Sequence, residues 1–482
     1  MRNYSNWING IDAAPENGAH MERTSPWDGA VIAQVPDSTA GDVDKAVRAA
    51  RQAFNAWSGL PGSERATALS KWADLMNAQL TELAAVEGLE AGKPKLFAEG
   101  ESSFAAELVR YAASQAWNIT GKLMHDSGPD KLGLVLKLAR GVVGLILPWN
   151  YPLVCLMQKL PFALAAGCTV VIKPSEFTPG STLLVARLAK EAGIPDGVVN
   201  VVIGNGATVG EAITSHQDVD MVSFTGSSAV GKKIATNAAN RVAPVTLELG
   251  GKGANIIFAD ADIEKAVEGA LQGFIINAGE ECCAGSRILV EESIHDEFVA
   301  RLRERASKVR IGGSDSEETE LGPLIHKQHL ERVAGYIEAG KQEGAKLLCG
   351  GVDPSLNTGG GLFVPPTVFT GVTAEMKIFR EEIFGPVASV IPFKSLDDAL
   401  LIANDTRYGL ANGVWTKNID KAIEVIRRLE SGMVYVNCYL ETIAQLPFGG
   451  MKESGLGREN GTEGLEEYLE TRAAFIKLDV SI

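Results

Sequence analysis

Short β-branched runs alternate with segments of helical period from residue 142 onward, and this alternation limits the fold more than any other feature. The runs are VVGLIL at 142–147, TVVI at 169–172, VVNVVI at 198–203, VDMVSF at 219–224, ANIIF at 254–258 and SRILV at 286–290. Helical stretches separate them, among them TLLVARLAKEAG at 182–193, one opening GATVGEAI at 206, and DIEKAVEGALQGFI at 262–275. Strands alternating with helices form βαβ units, which build parallel sheets and put ligand sites at the carboxyl ends of their strands. The fold class is therefore α/β. Upstream, residues 42–57 place Val43, Val47, Ala50, Phe54 and Trp57 at helical spacing, and 63–87 repeat the pattern from Leu69 to Leu83.

At roughly 100–200 residues per domain, 482 residues suggest two to four domains. The alternation restarts after residue 250, where the helix SIHDEFVARLRERASKV at 293–309 follows the last strand, as in a second α/β domain. Residues 121–140, GKLMHDSGPDKLGLVLKLAR, interrupt the first unit with alternating residues around a GPD turn, and a matching tail, AAFIKLDVSI, closes the chain. Two such pieces far apart in sequence suggest an appended sheet used in assembly. GGVDPSLNTGGG at 350–361 reads as a surface loop.

Several function classes are disfavoured at once. Residues 141–158, GVVGLILPWNYPLVCLMQ, carry no charge and reach a membrane-spanning length, yet Pro148, Asn150 and Pro152 would break a helix at its centre. A buried strand, a loop and a helix start is the expected reading. A net charge of −15, from 45 basic and 60 acidic residues, opposes a nucleic-acid or anionic-membrane surface. The start MRNYSNWING has no charged n-region followed by an apolar h-region. The six cysteines are scattered without a CxxC spacing, so free thiols in a reducing cytoplasm are expected.

Residues 277–287, NAGEECCAGSR, hold two adjacent cysteines. Their Cα atoms lie about 3.8 Å apart, below the roughly 4.4–6.8 Å of ordinary disulfides, so a bridge would be strained. A metal site needs more ligands; His326 and His329 are the only close histidine pair and no HExxH occurs, so no metal is expected. Core packing and catalysis remain open. The flanking Glu280 and Glu281 would raise a thiol pKa, so a nucleophile here would need help from donors or a cation.

Other strings, in order, are PWNYP (148–152), IKPSE (172–176), FTGSSAVG (224–231), LELGGK (247–252), GEECCAGSR (279–287), EEIFGPV (381–387) and PFGGMKESGLGRE (447–459). Together they resemble the NAD(P)-dependent aldehyde dehydrogenase superfamily, of the hydrolytic type, over nearly the whole chain. The resemblance implies a variant Rossmann cofactor domain (1–120 and 141–250), a catalytic domain (251–452) and a β oligomerisation arm (121–140 and 465–482). It implies Cys282 as nucleophile, with the Asn150 amide and the Cys282 N–H stabilising the oxyanion of a thiohemiacetal. Hydride then passes to the nicotinamide, and Glu248 activates water against the thioester. Lys159 would partner that base and Glu459 would join a proton path.

No GxGxxG is present, and GNGATVG at 204–210, with Gly206 and Gly210, is a weak substitute. FTGSSAVG fits better: a strand ends at Thr225, Gly226 turns, and Ser227 opens a helix whose N-terminus can face a diphosphate. By resemblance, Trp149, Ser175 and Gly250 also border the cofactor, Lys173 and Glu176 hold the adenosine ribose, and Glu382 and Phe384 place the nicotinamide. A carboxylate such as Glu176 repels a 2′-phosphate and favours NAD over NADP. Two residues depart from the family pattern: Glu280 replaces the usual Gln, and Gly253 the common Pro.

The resemblance places Tyr151, Val154, Cys155 and Gln158 in the substrate pocket, facing a loop with Leu440, Glu441, Thr442 and Phe448. Gln158 stands where members that oxidise carboxylated aldehydes tend to carry Arg, so such substrates are disfavoured. Glu441 beside Tyr151 would favour an amino- or betaine-type aldehyde; aliphatic or aromatic aldehydes of broad range are the alternative. Glu248 argues against a CoA-acylating enzyme, and the intact Cys282, Asn150 and Glu248 against a non-catalytic member. The expected partner is a second copy, as homodimer or homotetramer.

Overall fold

The computed structural model describes residues 1–479. The sheet expected from the β-branched runs forms in the order Gly455–Leu456, Val245–Glu248, Met221–Thr225, Val142–Ile146, Thr169–Lys173, Val199–Val201, Asn6–Ile8, Ile11–Ala13. Its five inner strands are parallel. After Val142–Ile146 the chain steps outward to Thr169–Lys173 and Val199–Val201, then returns to the other side at Met221–Thr225. That reversal opens a crevice at the carboxyl ends of Val142–Ile146 and Met221–Thr225, where open α/β sheets bind ligands.

The uncharged 141–158 stretch supplies the central strand, a turn, and the helix Pro152–Met157, with Pro152 at the first helical position where its missing N–H costs nothing. Among the described residues no helix is long and apolar enough to cross a membrane. Residues 63–87 form two helices rather than one, Gly62–Ala78 and Leu80–Ala91, because Gln79 leaves the helical region at φ −107°, ψ 16°. The stretch after Gly206 is a π turn, Gly206–Gly210, followed by the short helix Glu211–Ser215.

A second sheet runs Lys346–Cys349, Thr367–Thr370, Val387–Phe393, Arg287–Glu291, Ala254–Ile257, Ala411–Trp415, Met433–Val436. Only its first edge pair is antiparallel. Each large sheet buries its own apolar core, with Trp57, Trp72 and Phe162 in one and Phe274, Phe298 and Phe369 in the other. The two sheets are joined by the short link from Glu248 to Ala254. A third sheet is antiparallel: Lys122–Met124, Lys131–Ala139 and Leu469–Lys477, the last pair in register over nine residues, from Leu469 opposite Ala139 to Lys477 opposite Lys131. The last three residues of the expected alternating tail, 480–482, lie outside the described residues.

Candidate active site

Three consecutive residues before the paired cysteines adopt left-handed backbone: Asn277 at φ 50°, Ala278 at φ 56° and Gly279 at φ 69°. Such conformations cost of order 1–2 kcal/mol each for a residue bearing a Cβ, so surrounding bonds must hold them. The Asn277 side-chain amide donates to the carbonyl of Asn150 (2.8 Å) and to that of Glu280 (3.2 Å). The Asn150 amide donates to the same Glu280 carbonyl at 2.9 Å. Two distant strings, PWNYP and NAGEECC, are thereby fastened together next to Cys282. Only one N–H of the Asn150 amide is used in this way; the second is available to a ligand.

Cys282 is half-buried and borders two cavities, of about 400 Å³ and about 310 Å³. Glu248 also borders both. It ends the strand Val245–Glu248, is buried, and its carboxylate oxygens find no hydrogen-bond partner among the described residues. Burial pushes this carboxyl up to about 8. Lys159, fully buried, is drawn down to about 8 by burial. Its ammonium meets the carboxylate of Glu459, so those two form one buried pair, and the charge of Glu248 also acts on Lys159. Hydrogen bonding with Cys283, then burial and the charge of Glu281, raise the Cys282 thiol well above its ordinary value.

The larger cavity sits at the crevice between the parallel strands. Trp149, Asn150, Gly226, Ser227, Gly250, Glu382 and Phe384 line it, as expected. Ser227 caps the helix Ser228–Ala239, accepting from the Val230 N–H, which leaves that helix start facing the cavity. At Gly250 a Cβ would stand 2.2 Å from the Glu382 carboxylate, so a side chain there would displace that carboxylate. Glu382 accepts from the Gly251 N–H at 3.0 Å. Trp149, His329 and Phe384 form an aromatic wall, with Trp149 5.4 Å from each of the other two ring centres. A helix N-terminus, glycines, an aromatic wall and a carboxylate together fit a dinucleotide. Lys173, at the end of the neighbouring strand, pairs with Glu176 at 2.8 Å. Those two, with Ser175, Gly206, Gly210 and Thr225, lie outside the lining of this cavity.

The smaller cavity is lined by Tyr151, Val154, Cys155, Gln158, Leu440, Thr442 and Phe448 together with both cysteines. Glu441 is the exception. It is exposed and absent from the lining, because the chain there alternates its side chains, sending Leu440 and Thr442 inward and Glu441 out. Lys159 is not a lining residue, whereas Glu459 is.

The aldehyde dehydrogenase family model matches residues 13–474. Rabbit (Oryctolagus cuniculus) aldehyde dehydrogenase 1A1 is 48% identical over 454 residues, covering 93% of this chain and 90% of the relative. The crystal structure of an NAD-dependent aldehyde dehydrogenase from Sinorhizobium meliloti superposes with a TM-score of 0.97 at 45% identity, over 100% of this chain and 96% of that one. A point mutant of betaine aldehyde dehydrogenase from Staphylococcus aureus, solved with NAD+, gives 0.96 at 39% identity, over 99% and 97%. The chain belongs to the aldehyde dehydrogenase family.

In this aldehyde dehydrogenase the two acids before the thiol part company. Glu280, expected either to raise the Cys282 pKa or to alter cofactor contacts, is buried, accepts from the Ile325 N–H at 2.9 Å and lies 3.6 Å from Nε2 of His329, a residue that lines the larger cavity. Glu281 faces the thiol instead, with Oε1 3.5 Å from Cys282 Sγ and 3.1 Å from the Cys283 N–H, and accepts from the Tyr151 hydroxyl. Burial raises both carboxyls. Sequence reasoning missed Glu281 as a pocket residue. It also missed Phe97, Gly100, Glu101 and Phe104, which enter the smaller cavity from one face of the helix Lys95–Gln115. Their i, i+3, i+4, i+7 spacing was visible, but such a stripe usually marks core. His326 and His329, noted only as a close pair, border the larger cavity.

Proposed function

We propose that this enzyme oxidises a small aldehyde carrying a cationic group to its carboxylic acid, with NAD, and releases the product by hydrolysis. The observation that carries the reaction is that Cys282 and Glu248 border both cavities, so nucleophile and base reach cofactor and aldehyde alike. Trp149, Gly226, Ser227, Gly250, Glu382 and Phe384 would hold the dinucleotide, and Lys173 with Glu176 the adenosine ribose. When bound, NAD accepts the hydride that leaves the aldehyde carbon.

The remaining chemistry belongs to side chains of the protein. The Glu248 carboxylate takes the Cys282 proton, and the thiolate adds to the aldehyde carbon. The Asn150 amide, with one N–H committed to Glu280, donates the other to the oxyanion, beside the Cys282 N–H. Once the thioester has formed, Glu248 takes a proton from water for attack on it. Lys159 and Glu459, paired behind the base, relay that proton onward.

The substrate class follows from the smaller cavity. Aromatic rings of Tyr151, Phe97, Phe104, Tyr435 and Phe448 border it, and Glu281 puts a carboxylate inside it. Such a box holds an ammonium or trimethylammonium group through charge and cation–π attraction, and Gln158 offers no clamp for a carboxylate. A relative at this level of similarity is a betaine aldehyde dehydrogenase. We assign residues 1–120 and 141–250 to the cofactor, residues 251–452 to catalysis, and the antiparallel arm of 121–140 and 465–482 to homo-oligomer assembly.

The test is NADH formation with cationic, neutral aliphatic, aromatic and carboxylated aldehydes of matched length. The cationic series should give the highest kcat/KM, and Glu281→Gln should remove that advantage. Equal kcat/KM across the cationic and neutral series would replace this reading with a broad-specificity enzyme. Full activity in Cys282→Ala would overturn the mechanism itself.

A further inference from the structure

We propose that Glu281, Cys282 and Cys283 form a site for a thiophilic divalent cation such as Zn2+, through which the metal shuts the enzyme off. Three consecutive side chains converge here because the chain turns: the Ala284 N–H bonds to the Glu281 carbonyl at 3.2 Å, so the residues do not alternate as they would in a strand. One carboxylate oxygen and two sulfurs, as ligand atoms, all lie within 4.8 Å of one another. Glu281 Oε1 stands 3.5 Å from Cys282 Sγ and 3.1 Å from the Cys283 N–H. A tetrahedral zinc ion with Zn–S bonds of about 2.3 Å holds its sulfurs about 3.8 Å apart, within the 4.8 Å that bounds these three ligand atoms. The adjacency that strains a disulfide suits this arrangement, since the ion stands between the sulfurs.

The donor set is selective. Two thiolates and one carboxylate suit Zn2+ or Cd2+, and not Mg2+, which demands six oxygen ligands. All three side chains border the smaller cavity, so a fourth position remains open to water. On binding, each thiol gives up its proton to solvent and forms an S–metal bond; no electron moves. The metal then occupies the sulfur lone pair that would attack the aldehyde, so metal and aldehyde exclude each other. The inhibitory consequence rests on Cys282 being the nucleophile, as proposed above; the binding does not.

The experiment uses the full-length enzyme freed of metal by a chelator and then desalted. Cd2+ serves as the optical probe, through its sulfur-to-cadmium ultraviolet charge-transfer band, and Zn2+ as inhibitor of NADH formation. One equivalent of Cd2+ should develop the band. Zn2+ should inhibit competitively with aldehyde, chelation should restore activity, and Mg2+ should do nothing. Cys283→Ala and Glu281→Gln, each measured against its own uninhibited rate, should weaken Zn2+ inhibition by at least about tenfold, since even outer-shell changes cost a metal site about 10–100-fold. The double variant Cys282→Ala, Cys283→Ala should lose the band.

A band that survives in the double variant overturns the site, as does loss of the band on Cys155→Ala with retention in Cys283→Ala, because Cys155 is the other thiol in this cavity. An unchanged Zn2+ inhibition constant in Cys283→Ala, or equal inhibition by Mg2+, also overturns it. Retained NADH formation in Cys282→Ala would instead strike the catalytic reading and leave the Cd2+ result to stand alone.

Discussion

Glu280 and Glu281 are neighbours with opposite surroundings, and the difference lies in where each side chain finds a donor. Glu280 is buried among the Ile325 N–H and His329, and its carboxyl sits well above the usual carboxylate range. A buried carboxyl with a raised pKa holds its proton in the folded state while the unfolded chain releases it, so stability falls as pH rises above the ordinary carboxyl value of 4.5. Glu280→Gln keeps the acceptor for Ile325 and removes that loss. It should raise the Tm, more at about pH 8 than at about pH 6, as thermal denaturation at the two pH values will read. The base makes a second prediction. As the proposed base Glu248 would act in its charged form, and its carboxyl stands at about 8, so turnover should rise with pH through about 8 and level above it. Glu248→Gln should flatten that profile, lower steady-state turnover by about 10²–10⁴-fold and suppress the initial burst of NADH, since the same carboxylate is proposed to take the Cys282 proton.

The elements around the site are shaped to hold one loop. Tyr439 donates its hydroxyl to the Cys283 carbonyl at 3.1 Å, and its ring lies in a notch where a Cβ at Gly253, Gly273, Gly285 or Gly413 would fall within about 3 Å of it. Gly253, one of the two departures from the family pattern, is thus explained by close approach: a side chain there would also meet the carbonyls of Ala284 and Ala411 at 2.7 and 2.8 Å. On the other side, the Asn277 amide ties the left-handed turn to Asn150. Asn277→Ala should cost about 1–3 kcal/mol of stability by leaving buried carbonyls unpaired, measurable in denaturant. Because it frees Asn150 as well, it should lower kcat more than it changes KM. Much at this scale was legible in the amino-acid order: the strands and most helices follow the period of their apolar residues. The substrate-facing stripe on Lys95–Gln115 was not, since Phe97 and Phe104 look the same in sequence whether they face a core or a cavity. The outward turn of Glu441 was not either, because it depends on the backbone path of a loop with Leu440 at φ 63°.

At the scale of the molecule, the arm leaves apolar residues in the open: Leu123, Met124 and Leu136, with Phe475 at 69% exposure. An exposed apolar sheet of this kind is expected to pair with another copy. Sedimentation velocity should show two or four chains in the native protein, and Phe475→Asp combined with Leu136→Lys should shift it toward monomer with the far-ultraviolet circular dichroism unchanged. A native monomer would refute the assembly. What the amino-acid sequence determined alone was local: period-2 and period-3.6 apolar patterns, turns at Pro and Gly, and the chemical identity of Cys282, Asn150 and Glu248. The tertiary structure alone decided the order of the strands, and with it the crevice where Trp149 and Ser227 face one cavity. It also decided that Glu281, and not Glu280 or Glu441, puts its charge beside the thiol. The physical reason is range. A period is a property of residues a few positions apart. By contrast, the meeting of residues 150, 248 and 282 depends on which strands pair, and that is settled only when both cores close together.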